Sequence, residues 1–139
     1  PRLLYLRRTL RAARRANDEA RVSECRARAE QMTRQLTRLA AMPPGNAYPY
    51  RIALTRIGGA VWVFLPGELY QVFQTTLRAR FPGVALVVST VTNDWQPGYL
   101  PGAGSYDYGI YQEIIAAVAP GSLETVIEAV SRDLTALLK

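Results

Sequence analysis

The 139-residue sequence contains no histidine, one cysteine (Cys25) and one lysine (Lys139). Without histidine, the chain alone cannot build a Ser-His-Asp or Cys-His catalytic site, or a zinc site with imidazole ligands. A single cysteine excludes an internal disulfide, and Cys25 falls on the apolar stripe of a predicted helix, where it is expected to be a small core residue. No apolar run approaches the roughly 20 residues of a membrane-spanning helix, so no transmembrane segment is predicted.

Positive charge is unevenly distributed along the chain. Residues 1–41 contain eleven arginines and four acidic residues, a net charge of +7, whereas residues 42–139 contain six basic and seven acidic residues, a net charge of −1. A basic helical segment can bind phosphates, but arginines that are simply solvated on an exposed helix are the simpler interpretation. Nucleic acid is therefore a disfavoured partner.

The arginine-rich segment, residues 1–42, is predicted to be helical. It has no glycine or proline after Pro1, and its apolar residues recur at spacings of three and four. The apolar pattern breaks at Asn17, Asp18 and Glu19, which indicates either a helical hairpin or one long kinked helix, and we favour the hairpin. Because the sequence opens at Pro1, without methionine and directly in helix-forming sequence, we expect the chain to be a piece of a longer protein.

A proline-rich linker at residues 43–49 separates this segment from a body, residues 50–139, with an α/β pattern. Strands are predicted at 50–57, 60–65 and 85–91, and helices at 69–81 and 110–118 and from Ser122, which is expected to cap the last helix. The order predicts a strand-strand-helix-strand unit forming a mixed sheet of about three strands with flanking helices. The 60–65 run is apolar on both faces, so it is expected to be a central strand covered on both sides, as part of a larger α/β domain.

Residues 93–113 form the most unusual stretch of the sequence. They contain five of the thirteen aromatic residues, with two prolines and four glycines, and are predicted to be a long ordered loop with a binding role. From the residues alone, packing of its tyrosines against the body is the simpler explanation of Tyr99, Tyr106 and Tyr111. Glu68 follows the second predicted strand, while Asn93 and Tyr99 follow the third. Because the carboxyl ends of parallel strands meet at one sheet edge, these residues are expected to be neighbours. A carboxylate in the first turn of a helix would be an equally good explanation of Glu68.

The order of these motifs resembles the later part of the catalytic domain of the neutral/alkaline ceramidase family, over roughly residues 48–138. The resemblance rests on order and spacing, through the segments Leu65-Pro66-Gly67-Glu68, Asn93-Asp94-Trp95, Gly98-Tyr99-Leu100-Pro101, Tyr106 and Tyr111-Gln112-Glu113. The family consists of zinc amidases that hydrolyse the N-acyl bond of ceramide. The resemblance therefore implies a hydrolase of sphingolipid metabolism with zinc as cofactor, an N-acyl lipid or amide as substrate, and export from the cytoplasm.

The resemblance also implies roles for individual residues. In the family, the glutamate of the Gly-Glu pair and a tyrosine soon after the Asn motif bind zinc together with two upstream histidines, which implies Glu68 and Tyr99 as metal ligands. Tyr111 takes the place of a second tyrosine in the site and is implied as a catalytic residue at the reacting carbonyl. The implied substrate-binding residues, which line the pocket, are Asn93, Trp95 and Tyr106.

Two departures from the family pattern concern the substrate more than the metal. Trp95 stands where the family usually has tyrosine, and Gln112 separates Tyr111 from Glu113. Since the upstream histidines are absent, the chain alone is expected to be inactive and to need the remainder of the catalytic domain as its partner. The alternatives are a family member that has lost its activity, and a non-enzymatic interaction module whose basic helices bind a partner protein, anionic lipid or nucleic acid.

Overall fold

The computed structural model describes residues 2–139, which divide into two compact units, one ending at Ala41 and the other spanning Met42–Lys139. The first unit is a hairpin of two helices, α1 (Arg2–Arg15) and α2 (Glu19–Ala41). Asn17 adopts a left-handed conformation at the turn (φ 52°), and the Asp18 carboxylate accepts a hydrogen bond from the Arg21 amide at 3.0 Å. The predicted hairpin is therefore confirmed, as is the burial of Cys25.

The second unit combines a small mixed sheet with helices, as the sequence predicts. Its elements are β1 (Ala53–Ile57), β2 (Ala60–Phe64), β3 (Glu68–Leu69), α3 (Val72–Arg80), β4 (Ala85–Ser89), β5 (Tyr99–Leu100), α4 (Tyr111–Ile115) and α5 (Ser122–Leu137), with a 3-10 turn at Ala103–Ser105. Strand β2 lies between β1, to which it is antiparallel, and β4, to which it is parallel. The central position predicted for the second strand is thus confirmed.

The core of this unit lies on one face of the sheet. Val61, Val63 and Leu65 are fully buried at alternate positions along the β2 segment, as the period of a strand requires. They pack with Phe73 and Leu77, which lie one helical turn apart on α3. The α5 stripe completes this core with Leu123, Val126, Ile127, Val130 and Leu134.

The other face of β2 is less covered than the sequence suggested. Trp62 and Phe64 point there, are only half-buried, and stack on each other with ring centroids 6.0 Å apart. The described residues therefore cover this face only in part, and its cover by the rest of a larger α/β domain stays a prediction. Among these residues, no helix has both the length and the apolar character of a membrane span.

Two predicted helix starts, those of α3 and α5, are wrong when compared with the structure. Glu68 and Leu69 belong to β3 and not to the first turn of α3, because the Glu68 amide donates to the Gly98 carbonyl at 2.8 Å in a ladder with β5. The helix-dipole explanation of Glu68 therefore fails. Ser122 is the first residue of α5 and does not cap it; the cap position is Gly121, whose φ of 88° favours glycine.

Candidate functional site

Two short parallel strands, β3 and β5, bring together the segments that follow β2 and β4. Glu68 is paired with Tyr99, and Leu69 with Leu100. The ladder is held by hydrogen bonds from the Glu68 amide to the Gly98 carbonyl at 2.8 Å and from the Tyr70 amide to the Leu100 carbonyl at 3.2 Å. The proximity expected of Glu68 and Tyr99 is therefore observed, within a ladder that the sequence did not predict.

Gly67 allows the chain to make this approach. Its φ is +70°, its amide donates to the Asp94 carbonyl at 3.1 Å, and its carbonyl accepts from the Val91 amide at 2.9 Å. A Cβ atom at this position would lie 2.6 Å from the Gly98 carbonyl oxygen. The position therefore requires glycine, both for its backbone conformation and for the close contact across the ladder.

Polar contacts from the linker side fix the start of the 93–113 segment. The Tyr48 hydroxyl donates to the Asp94 carboxylate, which also accepts from the Gln96 amide at 2.9 Å. The Tyr50 hydroxyl donates to the Pro66 carbonyl at 2.5 Å. Burial and the hydrogen bond to Asp94 raise the pKa of Tyr48 to about 12, and the hydrogen bond from Tyr48, followed by that from Gln96, lowers the pKa of Asp94.

Glu68, Tyr99 and Tyr111 form one cluster. Tyr99 is paired with Glu68 in the β3–β5 ladder; burial first, and the neighbouring Glu68 carboxylate second, raise the pKa of Tyr99. The Tyr111 ring meets the Tyr99 ring edge to face, with centroids 6.2 Å apart. Tyr111 itself is 58% exposed, so its outer part is accessible to a ligand. The two implied metal ligands and the implied catalytic tyrosine are thus adjacent.

The three residues implied as substrate-binding have different surroundings in the 93–113 segment. Asn93 is exposed and adopts a left-handed conformation, with φ of 70°. Trp95 is exposed at a turn closed by a 2.8 Å hydrogen bond from the Gly98 amide to the Trp95 carbonyl. The Tyr106 hydroxyl donates to the Val118 carbonyl at 3.0 Å, so it serves to hold the backbone after α4.

Two buried polar side chains near this cluster were missed by the sequence analysis. The Tyr70 hydroxyl and Glu113 Oε1 are buried and have no hydrogen-bond partner among the described residues. Burial, and then the negative charge of Glu113, raises the pKa of Tyr70, which in turn interacts electrostatically with Tyr99. The one available signal was the position of Glu113, three residues after a predicted helix start, where glutamate caps helices.

The donor set suits part of a zinc shell. Zinc accepts carboxylate oxygen, and Glu68 and Tyr99 stand at paired positions of two parallel strands. A catalytic zinc, however, usually has three protein ligands. Within residues 2–139, no group of three or more histidine, cysteine, aspartate or glutamate side chains is placed to bind a metal. By their chemistry, Glu68 and Tyr99 would fit two ligand positions of such a shell.

The helical hairpin has a second notable surface, an arginine-rich groove between α1 and α2. The groove has a volume of about 470 Å³; its charged side chains are Arg7, Arg14, Arg26, Glu30 and Arg34. The residues along the opposite side of the hairpin are more balanced in charge; their charged side chains are Arg8, Asp18, Arg21, Glu24 and Arg28. On that side Arg28 pairs with Glu24 at 2.7 Å. These charged side chains sum to a net charge of +3 along the groove and +1 along the opposite side.

Comparison of the chain with protein-family models, with curated proteins and with solved structures finds no match. The interpretation of the site therefore depends on the geometry around Glu68 and on the resemblance in the order of the sequence motifs. The fold is known from the structure of the chain alone: an α/β unit and a separate helical hairpin.

Proposed function

We propose that this chain contributes part of the active site of a zinc-dependent amidohydrolase resembling the neutral/alkaline ceramidases. The observation that supports the proposal best is the pairing of Glu68 with Tyr99 in the β3–β5 ladder, which brings a carboxylate and a phenol residue to neighbouring strand positions. Tyr111 lies beside this pair. The remaining ligands would be the two upstream histidines that the family resemblance implies.

Each residue of the cluster has a distinct part in this proposal. Glu68 and Tyr99 would hold the metal, which when bound supplies a water of lowered pKa for attack on an amide carbonyl. The Tyr111 hydroxyl would donate a hydrogen bond to the carbonyl oxygen of an N-acyl substrate, where negative charge develops during the attack.

The test is zinc content and N-acyl hydrolysis in a longer protein that includes the region upstream of Pro1. We expect the wild type to bind about one zinc ion, as a single catalytic site requires. Glu68→Gln and Tyr99→Phe should each lower zinc affinity by more than about 100-fold, since even changes outside the ligand set cost 10- to 100-fold. The 139-residue chain alone should bind zinc weakly and hydrolyse no amide.

Matched controls separate loss of a ligand from loss of the fold. Glu30→Gln in α2 and Tyr108→Phe, which is 76% exposed, make the same chemical changes away from the cluster. Both controls should retain zinc and activity. Full zinc binding by Glu68→Gln would refute the ligand assignment, and zinc binding without hydrolysis of any N-acyl amide would indicate a family member without activity.

The four arginines that line the groove support a second candidate function, binding of a phosphate-bearing anionic partner there. Arginine forms bidentate hydrogen bonds with phosphate, and each neutralised phosphate of a duplex adds about −0.9 to the slope of log K against log salt. We would measure binding of the chain to a duplex oligonucleotide and to vesicles containing phosphatidylserine at several salt concentrations. Binding to only one probe identifies the class of partner.

Two charge-matched triple variants test whether the groove is responsible. The groove variant is Arg7→Gln, Arg14→Gln and Arg26→Gln; the control changes Arg8, Arg21 and Arg28 to glutamine on the opposite side. Binding through the groove predicts a reduction of the salt slope by up to about 3 in the groove variant only. Equal losses in both variants would show that net charge, and not the groove, drives binding.

A further inference from the structure

Glu113 holds the beginning of the short helix that presents Tyr111. Helix α4 has only five residues, and Tyr111 is the first of them. Glu113 Oε2 accepts a hydrogen bond from the Ile110 amide at 3.1 Å, and the Glu113 amide donates to the Ile110 carbonyl at 3.1 Å. Because isoleucine has no side-chain acceptor, the cap at this end is made by the Glu113 side chain.

So short a helix depends on such contacts. Helix formation is unfavourable until several turns are made, so a helix of little more than one turn is not stable by itself. The start of α4 is fixed by the Glu113 cap, while its far end is anchored by Ile115, which is buried. Loss of the cap would therefore free the Ile110–Tyr111 end, and with it the Tyr111 ring, while leaving Ile115 in place.

The burial of Glu113 exceeds what a cap requires. Its side chain is 8% exposed, and it is the one charged residue in the buried set of the described chain. Among the described residues, its Oε1 atom has no hydrogen-bond partner, and neither has the Tyr70 hydroxyl. The two groups are near enough for Glu113 to raise the pKa of Tyr70, after the larger effect of burial. Glutamine would serve equally well in a capping box without a buried charge, so glutamine is the informative substitution.

We propose that Glu113 is a positioning residue for Tyr111: by capping α4 it keeps the Tyr111 ring against Tyr99 and orients the Tyr111 hydroxyl toward the site. The role of Tyr111 at a reacting carbonyl rests on the proposed function, but its placement by Glu113 does not. The placement can therefore be tested in the chain itself, without any assay of hydrolysis.

The first experiment uses fluorine NMR on the 139-residue chain with fluorotyrosine incorporated only at position 111. Glu113→Ala should shift and broaden the Tyr111 resonance, because the ring loses its fixed contact with Tyr99. Glu113→Gln retains the acceptor for the Ile110 amide, and its Tyr111 resonance should overlap that of the wild type. An unchanged resonance in Glu113→Ala would overturn the proposal.

Controls make the result specific. Glu124→Ala removes another glutamate that accepts a backbone hydrogen bond, from the Ala103 amide at 2.9 Å, and should leave the Tyr111 resonance unchanged. Fluorotyrosine at the exposed Tyr5, in helix α1 of the other unit, should report no change in any variant. If Glu113→Ala fails to fold, Glu113→Gln decides the matter: a folded Gln variant with a displaced Tyr111 resonance contradicts positioning by the cap.

A second experiment connects the placement to catalysis in the longer, zinc-containing protein. Glu113→Ala should lower kcat by about 10- to 100-fold, as misplacement of a reacting group by about 1 Å does, with zinc content unchanged. Glu113→Gln should restore kcat to within about twofold of the wild type, as retention of the cap predicts. An inactive wild type would refute the proposed function alone, since the NMR result still decides whether Glu113 places Tyr111.

Discussion

Replacing Gly67 with alanine should destabilise the second unit more than an ordinary glycine substitution does. The new Cβ atom would lie 2.6 Å from the Gly98 carbonyl oxygen and 3.1 Å from Pro97 Cγ, in a backbone with φ of +70°. The left-handed conformation costs a residue with a side chain about 1–2 kcal/mol, and forcing an atom into packed space costs about 1–3 kcal/mol more. Together these give a loss of about 2–5 kcal/mol.

Gly58→Ala provides the matched control. Gly58 has a similar φ of +60°, but a Cβ atom there meets nothing within 4 Å. It should therefore lose only the conformational part, about 1–2 kcal/mol. The difference between the two variants, about 1–3 kcal/mol, isolates the contact with Gly98.

Urea unfolding followed by tryptophan fluorescence measures this difference. Both tryptophans, Trp62 and Trp95, lie in the second unit, so the signal does not depend on the hairpin. With a slope of about 1–3 kcal/mol per M, the midpoint of Gly67→Ala should lie roughly 1 M below that of Gly58→Ala. Hydrogen exchange should also show loss of protection at the Glu68 amide. Equal midpoints and a protected Glu68 amide would refute the assigned contact.

Two further predictions concern the same unit. Tyr48→Phe removes the hydrogen bond that lowers the pKa of Asp94. A lowered carboxyl pKa stabilises the folded state at pH values above the unfolded pKa of about 4, so the variant should show its full loss of unfolding free energy at neutral pH. This loss should shrink as the pH falls through the lowered pKa, which urea titrations at several pH values would measure. Leu134 is fully buried in α5, and Leu134→Ala should lower the unfolding free energy by about 2–5 kcal/mol. Leu137 is 39% exposed, and Leu137→Ala should lower the unfolding free energy by less than about 1 kcal/mol. Similar losses at both positions would contradict the assigned core.

The longer elements could be predicted from sequence because their apolar residues repeat with a clear period. The α5 stripe and the alternation of Val61 and Val63 each extend over enough residues to define one. The strands β3 and β5 could not be predicted from sequence. Each has only two residues, too few to show a periodic pattern, and each pairs with a partner far along the chain. For this reason the sequence around Glu68 was as compatible with a helix start as with a strand end. The hydrogen bond from the Glu68 amide to the Gly98 carbonyl assigns it to a strand.

The candidate site was predictable to the same extent. The proximity of Glu68 and Tyr99 followed from the parallel order of β2 and β4, whose carboxyl ends share a sheet edge. The contributions of Tyr70 and Glu113 did not follow, because burial of a polar side chain depends on neighbours brought in by the fold. The restriction on Gly67 likewise arises from one carbonyl oxygen about thirty positions away.

The short β3–β5 ladder has a consequence for the order of folding. Pairing Glu68 with Tyr99 closes a loop of about thirty residues, which costs conformational entropy. A ladder of two residue pairs makes few contacts to offset that cost. The five-residue pairing of β2 with β4 shortens that loop beforehand, because it already places the ends of both strands side by side. We therefore expect the ladder to form after the sheet, with low φ-values at Glu68 and Tyr99 in folding kinetics. Glu68 and Tyr99 would then come together only after the β2–β4 pairing has formed.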